Sequence, residues 1–321
     1  MPTPVPGLAS CHDSIDGLVY FPRMLSKIRL HASGKLPEAY IPYLGDAPAF
    51  GGHVFDARCC RLLGVAYADL VTQTLALPDD AAVLAWAREA GKNPSAEKIE
   101  IWSAYAAKRG WRDDATPSMR KWAAHLGADP DAVVTWFDGM DIDEGRKTPA
   151  DFVPEPFNPG PFPNTPTRIP GLPSPYEETD GLTYFPRLVA KIGLAAAGKL
   201  PEGWTSPLGW GGQEPAKART FDSFCLRFLG LDYEPLKAKV LGGETDPAAL
   251  LAWAYEVGAK PTEEEIVVWN AFMRKRGWRD NLRERLLFRL GEAGLPADAV
   301  ATMFDYIDLD EGRAVRNLGA E

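Results

Sequence analysis

The chain has 321 residues, of which 45% are hydrophobic and 25% are charged, and its formal net charge is −9. This length and composition are typical of about two globular domains. Because the chain is acidic and contains no Lys/Arg run, it lacks the concentrated positive field that nucleic-acid backbones require, and we expect no nucleic-acid partner.

Membrane and secretory signals are missing from the sequence. No apolar stretch approaches the ~20 residues that cross a bilayer, and the first residues lack the basic and apolar regions of a secretory signal. The cysteines show no paired spacing typical of a disulfide framework and favour buried thiols: Cys11, Cys59, Cys60 and Cys225. We therefore expect a soluble cytoplasmic protein without a membrane partner.

The sequence contains a long internal repeat. Residues 16–38 and 180–202 are identical at 16 of 23 positions, and residues 108–114 return almost unchanged as 275–281. A repeat of this length is far longer than the roughly 20–50 residues of a solenoid unit. It therefore predicts two homologous domains, each large enough for its own core.

The predicted domains are residues 1–147 and 176–321, joined by a linker at residues 148–175. Ten of the 28 linker residues are proline. Proline fixes φ and favours extended backbone, so we expect a semi-rigid strap.

Helical periodicity dominates each repeat. A first helix is predicted over residues 17–33, and Gly34 is a suitable residue to end it. Its apolar positions recur at helical spacing: Leu18, Phe21, Leu25, Ile28 and Ala32. Pro22 falls in the first turn, where its missing N–H does little harm. A second helix is predicted from Phe55 to the glycine at position 64.

Later helices are marked by residues that favour helix N-termini. These residues are Asp79, Ser95, Asp129, Asp246 and Thr262, the last of which has Glu265 at the spacing of a capping box. We predict about six helices in each repeat and little sheet. The expected fold class is mainly α, with two homologous helical domains in a pseudo-two-fold arrangement.

Several short motifs follow one another in the order seen in the bacterial domain family DUF5069, which the chain resembles. These motifs are Tyr20-Phe21-Pro22-Arg23, residues 34–38, Leu63-Gly64, residues 83–86 and residues 136–146. The resemblance covers nearly all of each repeat and implies a compact helical domain of unknown function. It lends no catalytic residues. Since family members are typically single copies, it also implies that the tandem mimics a homodimer, as a monomeric intramolecular pseudo-dimer.

Two cations on the first helix are the strongest candidates for a binding site. Arg23, Lys27 and His31 follow i, i+4, i+8 spacing, and Arg187 and Lys191 repeat the two cations in the second copy. Arginine and lysine suit a carboxylate or phosphate ligand, and His31 could act as an acid or base. The alternative interpretation is internal ion pairing of these cations.

The acidic residues proposed for that pairing are repeated ones, and they also admit a metal-binding reading. They are Asp138, Asp141 and Asp143, but the spacing of a calcium-binding EF-hand is absent. We therefore predict no metal site, and the sequence indicates no particular cofactor.

The most divergent segments between the copies are residues 39–54 and 203–220. They are rich in aromatic residues and glycine, which is common in loops over pockets. Tyr40 and Trp204 are the candidate ligand-binding residues of these loops.

Three functions remain open from the sequence. The favoured one is binding of a small anionic metabolite, with or without catalysis, at Arg23, Lys27, Arg187 and Lys191. The others are a non-catalytic interaction or scaffold module, and a helical metalloenzyme that uses His31, His53 and nearby carboxylates.

Overall fold

The structure is a computed structural model, and it forms two compact units, one for each repeat. The residues that it describes are 4–129, 133–146, 168–201 and 208–316. Most of the predicted linker, residues 148–175, therefore lies outside the described residues, and its boundaries stay a prediction. The pseudo-two-fold arrangement also stays a prediction.

The first unit is built from α-helices with one short hairpin. The hairpin strands are β1 (Ser14–Ile15) and β2 (Leu18–Val19), which pair antiparallel. The helices are α1 (Phe21–Ala32), α2 (Phe55–Leu63), α3 (Tyr67–Ala76), α4 (Asp80–Ala90), α5 (Ala96–Ala107), α6 (Thr116–His125) and α7 (Trp136–Asp143). Two 3₁₀ helices, Glu38–Tyr43 and Pro48–Phe50, lie in the loop between α1 and α2.

The second unit repeats this order. Its hairpin pairs β3 (Glu178–Thr179) with β4 (Leu182–Thr183). Its helices are α8 (Phe185–Ala196), α9 (Phe221–Phe228), α10 (Tyr233–Leu241), α11 (Pro247–Val257), α12 (Glu263–Arg274), α13 (Arg283–Glu292) and α14 (Met303–Asp310). The prediction of a mainly helical fold with little sheet is confirmed.

The first predicted helix begins four residues too early. Asp16 and Gly17 have positive φ and form the tight turn of the hairpin, so Leu18 lies in a strand. Tyr20 then adopts a left-handed conformation, φ 68°, immediately before the helix begins at Phe21. Apolar residues on both sides of this turn face the same core, and their spacing therefore imitated helical periodicity.

The cap predictions are mostly confirmed. The side chains of Asp79, Ser95, Asp246 and Thr262 each accept a hydrogen bond from a backbone N–H of the helix that follows, and Thr262 forms a capping box with Glu265. Asp129 was the wrong choice for the last helix of the first repeat, because α7 begins at Trp136 with Thr135 as its cap.

Aromatic side chains from distant elements form an equivalent core in both units. Tyr20 stacks on Phe137 of α7 with 5.8 Å between ring centroids, and Tyr184 stacks on Phe304 of α14 at the same separation. The helix pairs α1–α7 and α8–α14 are thereby held close together through the residue that precedes each first helix. Within the described residues, no helix is long and apolar enough to cross a membrane.

Candidate functional site

The first helix of each repeat carries two cations into the protein interior. Arg23 and Lys27 of α1 retain 2% and 3% of their exposure, and Arg187 and Lys191 of α8 retain 3% and 7%. The helices are held there by their apolar neighbours at helical spacing, because burial of those side chains drives the same face inward. Buried charges require partners, and the structure supplies them.

Arg23 forms a bidentate ion pair with Glu144, which follows α7. Its Nη1 donates to Glu144 Oε2 at 2.9 Å and to the carbonyl of Ala9 at 2.9 Å, and its Nη2 donates to Glu144 Oε1. Arg146 donates to the same carboxylate, and the Tyr40 hydroxyl donates to Oε1 at 3.0 Å. Glu144 therefore ties the N-terminal arm, α1, the aromatic loop and the end of α7 together.

Lys27 forms a second buried cluster, with Asp56 of α2. Its Nζ lies 2.5 Å from Asp56 Oδ1 and donates to the Tyr20 hydroxyl at 2.9 Å, while that hydroxyl donates to Asp56 Oδ1 at 2.8 Å. The backbone N–H of Gly45 donates to the other carboxylate oxygen at 3.1 Å. Because Gly45 belongs to the loop between α1 and α2, this cluster also anchors the loop.

The second repeat reproduces both clusters. Arg187 pairs with Glu311 through both guanidinium nitrogens, and Arg313 donates to the same carboxylate. The second cluster consists of Lys191, Asp222, Tyr184 and the N–H of Gly209, which donates to Asp222 at 3.0 Å. Two repeats with different loop sequences have therefore kept the same pairs.

Burial and ion pairing shift the titration of these groups in opposite directions. Burial alone would raise the pKa of Glu144, but hydrogen bonds and positive charge from Arg23 and Arg146 outweigh it and hold the pKa below its ordinary value. Burial, with the nearby Asp222 charge, raises the pKa of Tyr184. Burial lowers the pKa of Lys191, and the Asp222 carboxylate only partly offsets it. Glu144 is accordingly the group most firmly held in its ionised form.

Internal pairing was one of the two sequence interpretations, but with different carboxylates. Arg23 and Lys27 were expected to meet Asp138, Asp141 or Asp143, whereas their partners are Glu144 and Asp56. The carboxylate of Asp141 instead accepts from Ser10 Oγ at 2.6 Å. Helical spacing within α7 could not show which of its acidic residues faces α1, because that depends on how the two helices pack.

The residues that the sequence interpretation missed are Tyr20, Asp56, Glu144 and Arg146. A usable signal was present in the sequence, because each one recurs in the second repeat: Tyr184, Asp222, Glu311 and Arg313. Identity between repeats marks the buried network, although it does not distinguish a structural network from a ligand site.

His31 does not join the buried cations. It lies exposed in the last turn of α1. Eight residues along a helix correspond to a rotation of about 80° from the starting position, so the predicted stripe had turned toward solvent by His31. Trp204 lies outside the described residues.

The histidines proposed for a metalloenzyme do not meet. His53 is exposed in the loop before α2, where its Nδ1 lies 3.3 Å from Arg58 Nη2. Among the residues that the structure describes, no group of three or more His, Cys, Asp or Glu side chains is placed to hold a metal ion.

The four cysteines are buried and reduced, as the sequence predicted. Burial raises the pKa of the Cys11 and Cys60 thiols to about 12. Since the thiolate is the nucleophile, these side chains are poor candidates for catalysis at neutral pH.

The loop anchored by the clusters exposes apolar side chains in the first repeat. Ile41, Tyr43 and Phe50 are 43%, 49% and 40% exposed, and the rings of Tyr43 and Phe50 stack with 4.7 Å between centroids. Tyr40 faces inward from the same loop, toward Glu144. One loop thus combines a polar attachment to the interior with an apolar outer surface, and we call this outer surface, formed by Ile41, Tyr43 and Phe50, the aromatic patch.

Comparison with known proteins gives a family and no function. No curated protein and no solved structure matches the chain. A family model described as "Domain of unknown function (DUF5069)" matches residues 6–146 and again residues 170–313. The two matches contain both pairs of buried clusters and together cover most of the sequence, and the chain therefore belongs to the DUF5069 family and carries two copies of its domain.

Proposed function

We propose that the protein is a non-catalytic interaction module that binds a protein partner through the aromatic patch of its first repeat. The observation that carries this proposal is the attachment of one loop to both ion-pair clusters, through Tyr40 and through the N–H of Gly45. In this proposal the buried cations hold the binding loop in place and contact no ligand.

Neutralisation of the cations supports a holding role. Both oxygens of Glu144 and both oxygens of Asp56 already accept hydrogen bonds from the protein itself. A ligand anion would have to displace a buried carboxylate and leave it without its cation, which is costly. Such pairs instead fix the geometry of the elements that they join.

The aromatic patch supports a partner-binding role. Tyr43 and Phe50 are large side chains that remain two-fifths or more exposed although the loop is tied to the core. Contiguous exposed apolar surface is typical of interaction sites, and aromatic residues dominate the binding energy of many interfaces. A loop fixed before binding also loses less conformational freedom when the partner arrives.

Photo-crosslinking in the native cell tests this proposal. A photoreactive phenylalanine analogue at position 43 should give one defined adduct, and the additional substitution Phe50→Ser should abolish it. The control position is Val257, which is 57% exposed in the second repeat. If positions 43 and 257 give the same adducts, or if Phe50→Ser changes nothing, the aromatic patch is not a partner site.

Binding of a small anionic metabolite is the second candidate. The observation in its favour is Arg146, the second guanidinium on Glu144, because its side chain is 26% exposed and could reach an external anion. Tyr40 and Lys27 would then line the inner side of the site, and Arg187 and Lys191 would do so in the second repeat.

A thermal-shift screen with small carboxylates and phosphates separates the two candidates. Anion binding predicts a hit that disappears in Arg146→Gln and in Arg23→Ala, whereas the exposed variant Lys237→Gln keeps it. A hit that survives Arg146→Gln unchanged would remove the Glu144 cluster from the anion site.

A further inference from the structure

Three arginines of the second repeat surround a single phenylalanine. The guanidinium carbons of Arg219, Arg227 and Arg276 lie 4.8, 5.2 and 5.8 Å from the centre of the Phe224 ring. Phe224 itself is 2% exposed. Three positive groups close to one ring are unusual in a chain whose net charge is −9.

The three arginines come from three parts of the fold. Arg219 lies in the loop before α9, Arg227 lies near the end of α9, and Arg276 follows α12. Their burial increases in that order, since Arg219 is exposed, Arg227 is half-buried and Arg276 is 5% exposed. The cluster therefore extends from the surface to the interior, which is the layout of a pocket wall.

The other contacts of these arginines leave room for a ligand anion. Arg227 Nη1 donates to the carbonyl of Pro215 at 2.6 Å, and Arg276 Nη1 lies 3.6 Å from Asp280. The Arg276 guanidinium carbon also lies 5.1 Å from the ring centre of Phe272. Carbonyls and ring faces hold guanidinium groups without neutralising them, so the positive charge of the cluster persists.

The first repeat keeps cationic groups at the equivalent positions but uses them differently. His53, Arg61 and Arg109 correspond to Arg219, Arg227 and Arg276, and Arg58 replaces the phenylalanine. There Arg58 Nε donates to the His53 carbonyl at 3.1 Å, Arg61 donates to a loop carbonyl at 2.7 Å, and Arg109 Nη2 donates to Asp114 at 2.8 Å.

That comparison distinguishes the two repeats. The copy with Asp114 has asparagine at the equivalent position in the second repeat, Asn281, so one acidic partner is lost there. At the same time, His53 is replaced by the permanently charged Arg219. Both changes increase the positive charge of the cluster in the second repeat alone.

We propose that Arg219, Arg227 and Arg276 form a binding site for a small phosphate-type oxyanion beside Phe224. Guanidinium forks match the oxygen geometry of phosphate and bind it through paired, charge-assisted hydrogen bonds. An anion seated there relieves the repulsion among three neighbouring cations. The site lies in the second repeat and does not depend on the aromatic patch, so either proposal can fail without the other.

Isothermal titration of the full chain with inorganic phosphate, at constant ionic strength, tests the proposal. Saturable binding is expected, and Arg219→Gln should weaken it about tenfold, since one charge-assisted interaction is lost. Arg219 is exposed, so this variant should fold normally. Arg227→Lys keeps the charge but removes the fork and should weaken binding as well.

The matched control is Lys217→Gln, which removes one charge two residues away from Arg219. Lys217 is 74% exposed and pairs with Glu214 at 2.7 Å. Phosphate affinity should be unchanged in this variant. Equal weakening by Lys217→Gln and Arg219→Gln would show non-specific attraction, and the absence of saturable binding to the wild-type chain would overturn the proposal outright. Acetate serves as the carboxylate arm, and tighter binding of acetate than phosphate would overturn the assignment to phosphate.

Discussion

At the scale of single residues, Glu144 is the connecting point of the first repeat. Its carboxylate accepts hydrogen bonds from Arg23 on α1, from Tyr40 in the loop and from Arg146 after α7. Each donor comes from a different part of the chain, so loss of Glu144 or of Arg23 affects several elements together. Arg187 and Glu311 hold the corresponding place in the second repeat.

Truncation of Arg23 is expected to be strongly destabilising. Arg23→Met leaves the buried Glu144 without its bidentate partner, and breaking a buried pair on one side typically costs about 3–5 kcal/mol. Urea denaturation measures the loss. The control Lys237→Met breaks the solvent-accessible pair with Glu234, at 3.3 Å, and should cost under about 1 kcal/mol. Equal losses in the two variants would contradict the central role of this pair.

The depressed pKa of Glu144 predicts a specific loss of stability in acid. Because the folded-state pKa lies below the ordinary value of 4.5, the contribution of Glu144 is complete above that pH. It is lost as the pH falls through the folded-state pKa, where protonation of the carboxylate breaks the ion pairs. Unfolding free energies measured from pH 6 down to the acid transition should therefore fall more steeply for wild type than for Glu144→Gln. Parallel curves would show that Glu144 contributes nothing to the acid transition.

At the scale of elements, one glycine fixes the loop of each repeat. Gly45 and Gly209 have φ of 59° and 55°, and each donates its N–H to the buried aspartate of the lysine cluster. A Cβ atom on Gly209 would lie 2.5 Å from ring atoms of Tyr233, and one on Gly45 would lie 2.4 Å from Tyr67. The loop therefore approaches a tyrosine face more closely than any side chain permits.

Gly209→Ala is expected to loosen the loop of the second repeat. The substitution combines a left-handed backbone strain with a steric clash against Tyr233, and overpacking of this kind typically costs about 1–3 kcal/mol. The matched control is Gly212→Ala, in the same loop, with φ of 70° but nothing within 4 Å of the added Cβ. Thermal unfolding should show the larger decrease for Gly209→Ala. A decrease of equal size in both variants would mean that the strain alone matters and that the contact with Tyr233 does not.

Elements with strong local signals were predictable, and those without them were not. The capping box at Thr262 and the glycine that follows α2, Gly64 with φ of 71°, act within a few residues and are therefore visible in the sequence. The helices α3 and α6 were missed, since neither has a side-chain cap at its N-terminus in the structure. The hairpin before α1 was missed because two-residue strands are too short to show an alternating pattern.

At the scale of the whole molecule, the chain consists of two family domains that each contain a complete set of buried clusters. The first match ends at residue 146, which includes Glu144 and Arg146, and the second begins at residue 170. Neither repeat therefore needs the other to neutralise its buried cations. This self-sufficiency is consistent with independent folding of each repeat.

Residues 1–147, produced alone, are expected to fold with a helical circular-dichroism spectrum and to unfold cooperatively. If the tandem mimics a homodimer, this fragment should also self-associate, which sedimentation equilibrium measures. A folded but strictly monomeric fragment would refute the pseudo-dimer, while leaving the domain division intact. An unfolded fragment would contradict the division into two self-sufficient domains.

The sequence by itself determined the duplication, the helical class and the presence of two inward cations on the first helix of each repeat. These properties are written in identity, periodicity and capping residues, which act over short distances along the chain. Only the tertiary structure decided that Arg23 meets Glu144, that Lys27 meets Asp56, and that three arginines surround Phe224. Such contacts join residues up to 121 positions apart, and their geometry depends on how helices pack rather than on any local pattern.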